Sequence, residues 1–94
     1  MADVRRNDDV GQYEIWLDGG RVGLTQFRVR PDGVLVFPHT EVDEDRRGQG
    51  LAGELIGAAL DDVRERGETI IAQCPAVAGF IADHAEYADL QAAA

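Results

Sequence analysis

Residues 46–53 read RRGQGLAG: two arginines, then glycines at positions 48, 50 and 53, running into an apolar pattern of helical period. Backbone without side chains at a helix start suits one kind of chemistry, because successive amides there can approach and donate to the oxygens of a diphosphate. Arg46 and Arg47 add positive charge in an otherwise acidic chain, which offsets repulsion of the phosphates. His39 and Glu41 stand two apart shortly before this loop and are types that can take a proton from a nucleophile, directly or through water. They also read as partly solvated groups at a strand end that bond the backbone. On the glycines alone, three readings remain: a dinucleotide loop, a coenzyme A loop, and a glycine-rich helix start with nothing bound.

What the chain lacks removes other mechanisms. It has no serine and no lysine, so a Ser-His-Asp triad, a Schiff-base lysine and a Walker-type phosphate loop are excluded. Its two histidines, His39 and His84, have no ligand spacing around them, and one cysteine allows neither an internal disulfide nor a multi-cysteine zinc site; no metal is expected. The net charge of −9 argues against nucleic acid, which demands the opposite field. MADVRRNDDV has no apolar run of a signal peptide, and no stretch approaches the ~20 apolar residues of a membrane span. The expectation is one soluble, cytoplasmic domain over residues 1–94, monomeric or weakly dimeric.

The elements that must position these residues follow from periodicity. YEIWLDGGRVGLTQFRV, from Tyr13, gives two strands around a turn at Asp18-Gly19-Gly20. Arg30-Pro31-Asp32-Gly33 is a second turn, leading into a strand over 33–42. Strict alternation on that strand puts Leu35, Phe37, His39 and Glu41 on one face, and Val34, Val36, Pro38, Thr40 and Val42 on the other. LAGELIGAALDDVRERG is an amphipathic helix with arginines in its last turn and Gly67 just beyond it. Thr69–Cys74 reads as a short strand, and Pro75 opens one or two short helices. The order is β-β-β-α-β-α, an α+β fold; Trp16 and Phe27 read as core.

That order bears on the glycine loop. A dinucleotide fingerprint needs a βαβ unit at the start of a parallel sheet and an acidic residue after the next strand. Here three antiparallel strands precede the loop, the later strand ends in Gln73-Cys74, and too little chain remains. Arg47-Gly48-Gln49-Gly50-Leu51-Ala52 instead fits [Q/R]-x-x-G-x-[G/A], the pattern of a coenzyme A diphosphate loop.

HTEVDEDRRGQGLAGELIGAAL, IIAQCPAVAGFI and HAEYADL together resemble the short members of the GNAT family of acetyl-CoA-dependent N-acetyltransferases, over residues from about 33 to 90. The resemblance implies a mixed, mainly antiparallel sheet whose strand 33–42 splays from strand 69–74 to leave a V-shaped cleft. It implies a diphosphate loop of Arg47, Gly48, Gln49, Gly50, Leu51 and Ala52, with the main chain of Thr40 and Val42 along the pantetheine arm of the cosubstrate acetyl-CoA. Short members carry a cysteine where this chain has Cys74, which puts that thiol beside the acetyl group as proton donor or transient acyl carrier; by itself a lone cysteine reads as a small buried hydrophobe. A reactive thiol needs a lowered pKa, and the acidic chain argues against one, which favours the proton donor. Two departures stand out. The tyrosine of longer relatives has no counterpart, since Phe80 and Ala82 hold the nearest positions and Tyr87 comes later; and Ala72 replaces a common proline. His84 and Tyr87 are expected to cap or pack their segment. The implied function is direct acetyl transfer to an unidentified amine, on a protein or a small molecule. The rival readings are a non-catalytic acyl-CoA-binding or protein-interaction module, and thioester hydrolysis.

Overall fold

The computed structural model describes residues 2–92. Five strands form one sheet in chain order: β1 (Asp3–Asn7), β2 (Gln12–Leu17), β3 (Gly20–Val29), β4 (Leu35–Val42) and β5 (Ile70–Ala72). The first four are antiparallel and β5 runs parallel to β4, so the chain needs a crossover between them. Helix α1 (Leu51–Glu65) supplies it; α2 (Pro75–Asp83) and a 3-10 segment (Ala85–Leu90) follow β5. Among the described residues no helix is long and apolar enough to cross a membrane.

Helix α1 buries Leu51, Leu55, Ile56, Ala59, Leu60 and Val63 against one face of the sheet. Tyr13, Phe27 and Phe37 meet it from three strands, with ring centroids 5.7–6.3 Å apart. Val77, Ile81 and Leu90 join the same cluster, so both helices pack on one side. Gly67, at φ +72°, ends α1: its amide donates to Arg64 O and that of Glu68 to Val63 O, the paired bonds of a Schellman motif.

Strand β1 was not expected from the sequence. Its inward positions are Val4 and Arg6, and an arginine does not register as apolar. Yet the Arg6 guanidinium lies 4.8 Å over the Phe27 ring, donates to the Tyr13 hydroxyl, and pairs with Glu68 at 2.8 Å. Trp16 is not core either. It lies half-buried on the helix-free face, under Arg5 at 4.9 Å, with its Nε1 donating to Glu14.

The reading of faces on β4 is also corrected. Gln26 pairs with His39 and Arg28 with Val36, so the single residue Phe27 of β3 stands opposite both Phe37 and Pro38. This is a β-bulge, at a proline that has no amide to give a ladder. Phe37 faces α1 with the core, but beyond the bulge it is Thr40 that faces α1, while His39 and Glu41 turn to the other side. Strand β5 is shorter than expected and pairs with β4 only at Leu35–Phe37, closed by Cys74 N donating to Phe37 O at 2.8 Å. From His39 to Val42, β4 pairs with β3 alone, and the two parallel strands part as the resemblance implied.

Candidate active site

The end of β4 leads through a 3-10 turn (Glu44–Arg46) into Arg47 and the glycines. Gly48 and Gly50 take φ of +83° and +75°, a region that only glycine enters freely, and each faces open space where a Cβ would stand. Gly50 is the N-cap of α1 without a side chain to bond the first turn; the first helical bond runs from Glu54 N to Gly50 O. Among the described residues no protein acceptor meets the amides of Gly48 to Gly53. They sit at a depression of about 130 Å³ lined by Val42, Arg46, Arg47, Gly48, Gly50, Leu51 and Ala52. Gln49 is exposed and is not part of the lining.

Neither Arg46 nor Arg47 is paired with a carboxylate among the described residues, whereas Arg5, Arg6, Arg21, Arg30, Arg64 and Arg66 all are. Two guanidinium groups without a carboxylate partner, a depression lined by open glycines and a helix N-terminus together suit an anion. Arg46 was read in the sequence for its charge alone; the structure adds it to the lining.

Cys74 lies 6% exposed where β5 gives way to α2, and its thiol donates to Thr40 Oγ1 at 3.6 Å. The bulge on β4 is what turns Thr40 toward it. Burial pushes the thiol up, but the Thr40 hydroxyl and the amides of Val77 and Ala76 at the start of α2 outweigh burial and hold it below the ordinary value. The expectation of an unfavourable acidic setting is therefore corrected: neutral donors, not the chain's carboxylates, surround the sulfur.

His39 and Glu41 come together, Nε2 to Oε2 at 2.9 Å, both exposed and on the sheet face opposite Thr40. The structure thus divides the sequence candidates. Cys74 and Thr40 form one group, His39 and Glu41 another, and β4 runs between them. Tyr87 donates to Asp61 at 2.7 Å and His84 stacks on Phe80 at 4.0 Å, so both pack the C-terminal segment. Thr25, whose hydroxyl lies 2.8 Å from that of Thr40, carried no sequence signal: a threonine inside a strand is ordinary.

The family model described as GCN5-related N-acetyl-transferase matches residues 12–90. Among curated proteins none matches the chain. A GCN5-like candidate N-acetyltransferase from Staphylococcus aureus, solved by NMR, is similar with a TM-score of 0.71 and 19% identity, over 98% of this chain and 89% of that one. At that identity the likeness shows the fold alone. The crystal structure of ribosomal-protein-alanine N-acetyltransferase from Brucella melitensis biovar Abortus 2308 is similar with a TM-score of 0.53 and 26% identity, over 88% of this chain and 62% of that one. This chain therefore spans about three fifths of that enzyme's length. With the family pattern covering β2 to β5, the glycine loop and both helices, the chain belongs to the GCN5-related N-acetyltransferase family.

Proposed function

We propose that the protein uses acetyl-CoA and transfers the acetyl group directly to an amine within a ternary complex. One observation carries this reading: the amides of Gly48–Gly53 open together beside Arg46 and Arg47, at the foot of the unpaired edge of β4. Amides at a helix start, with two free guanidinium groups, are the chemistry that holds a diphosphate. Thr40 and Val42 present their main chain along that edge, where an extended pantetheine arm can bond it.

The positions of the remaining groups support a role for each. The neutral amine attacks the thioester carbonyl carbon, forming the C–N bond as the C–S bond breaks. The Cys74 thiol, made more acidic by its neighbours, gives its proton to the departing thiolate and regains one from solvent. The His39–Glu41 pair, on the open side of β4, takes the proton that the amine loses, directly or through water. A net charge of −9 favours a cationic acceptor, such as a polyamine or an exposed protein amine.

Calorimetry with CoA and acetyl-CoA, followed by thiol release across an amine panel, tests the reading. The panel includes a peptide that begins with alanine, chosen because the Brucella relative is named for ribosomal-protein alanine. Amine-dependent release supports transfer. Release independent of amine means hydrolysis, binding without release means a non-catalytic module, and no heat with either ligand removes the assignment.

A further inference from the structure

Thr25 lies on β3, fully buried at 0% exposure and paired across the sheet with Tyr13 on one side and Thr40 on the other. Directly opposed residues project from the same face, so Thr25 and Thr40 both look toward α1. Their hydroxyl oxygens are 2.8 Å apart, and the Cys74 thiol reaches Thr40 Oγ1 at 3.6 Å. Three groups therefore form a short chain of two links, Thr25 to Thr40 to Cys74. Thr40 Oγ1 is the one hydrogen-bond partner of the Thr25 hydroxyl among the described residues.

Counting protons shows what such a chain does. With Cys74 as a thiol the chain holds three protons for two links, and one proton has no acceptor within it. With Cys74 as a thiolate it holds two, and both are used: Thr25 donates to Thr40, and Thr40 donates to the sulfur. The thiol form leaves one donor of the chain without a partner in it, whereas the thiolate form uses every donor and offers Thr40 a charged acceptor, so the arrangement favours the thiolate.

We propose that Thr25 is a positioning residue for acetyl transfer: by donating to Thr40, it turns the Thr40 proton onto the Cys74 sulfur and steadies the thiolate left when that residue gives up its proton. This rests on the reading of Cys74 as the proton donor of the reaction. The direction in which the thiol is already displaced agrees with it, and the neighbours responsible besides Thr40 are the uncharged amides of Val77 and Ala76 at the start of α2. No charged side chain is among those influences.

Cys74 is the only cysteine, so its ionisation can be followed in the intact protein by thiolate absorbance in the ultraviolet, with Cys74→Ser as the blank. Both tyrosines are displaced upward by burial or by their carboxylate partners, which keeps their ionisation clear of the thiolate signal. Thr25→Val is expected to raise the midpoint and cut the thiolate fraction at a fixed pH about fivefold, the effect of losing one donor. Thr25→Ser, which keeps the hydroxyl, restores it. Thr40→Val removes the last link and raises the midpoint at least as far, which keeps the test open if Thr25→Val folds poorly. The pH profile of kcat should move with the thiol midpoint in each variant. An unchanged titration in both valine variants overturns the proposal and leaves the role of Cys74 standing. A midpoint that moves while the pH profile stays fixed removes Cys74 from the reaction, and Thr25 with it.

Discussion

Phe37 and Thr40 are three positions apart on one strand, yet both face α1. The bulge at Phe37–Pro38 makes this possible, and it stands where β4 and β5 part, since pairing with β5 stops at Phe37. Deleting Pro38 would leave the pairs on either side in register, Val36 with Arg28 and His39 with Gln26, while straightening the strand. The deletion variant is expected to fold and to keep its near-native circular dichroism, but to bind CoA at least about tenfold more weakly by calorimetry as the gap narrows. Native affinity in that variant would show that the bulge does not set the cleft.

Two glycine-to-alanine substitutions should have opposite signs. Gly50 is held at φ +75°, so Gly50→Ala is expected to cost about 1–2 kcal/mol from the left-handed backbone alone, and to weaken CoA binding with it. Gly79 lies exposed within α2 with open space around its Cα, so Gly79→Ala is expected to gain up to about 1 kcal/mol of helix propensity. For a chain of this size that is a rise in Tm of about 4–8 °C, readable by calorimetric melting.

The loop arginines should account for the salt dependence of cofactor binding. Arg46→Ala and Arg47→Ala are each expected to weaken CoA binding by up to about tenfold at low salt, and the double variant to show a flatter dependence of affinity on ionic strength. Arg30→Ala, at an exposed ion pair with Asp32 on the far turn, should leave both unchanged. Equal losses from all three would mean that net charge, not the loop, attracts the ligand.

Glu14 predicts an acid limb in stability. Gln12 donates to it at 2.6 Å, burial opposes, and Asn7, Trp16 and Arg21 add to the first effect, so its carboxyl lies below the ordinary range. A group depressed in the folded state stabilises above its unfolded value, about 4.3 for glutamate, and loses that contribution as pH falls through the folded value. Denaturant unfolding should therefore weaken from about pH 4 downward. Glu14→Gln should lose about 1.5 kcal/mol near neutrality and show a shallower fall in acid. An acid limb identical to that of the parent would place the effect on other carboxylates, Asp62 first among them.

How far the sequence could be read depended on whether the deciding residues wore their usual types. Helix α1 was plain because Leu51, Leu55, Ala59 and Val63 keep one period and Gly67 supplies its stop. The glycine-rich start of α1 was plain because Gly48 and Gly50 stand so close together ahead of an apolar helical period. β1 was hidden because Arg6 does the work of an apolar residue, laying its stem and guanidinium on Phe27. Strict alternation through Pro38 puts Thr40 on the wrong face, although a proline within a strand is itself a sign of a bulge. Thr25 could not be found at all, since its meaning lies in a partner fifteen positions away that only the sheet register supplies.

The extra residue on β4 carries one more implication. A gap fixed by the number of residues along a strand is covalent in origin, so it exists before any ligand approaches and does not depend on a hinge or a moving lid. An extended ligand arm entering it would rupture no inter-strand ladder, so such a slot is preorganised.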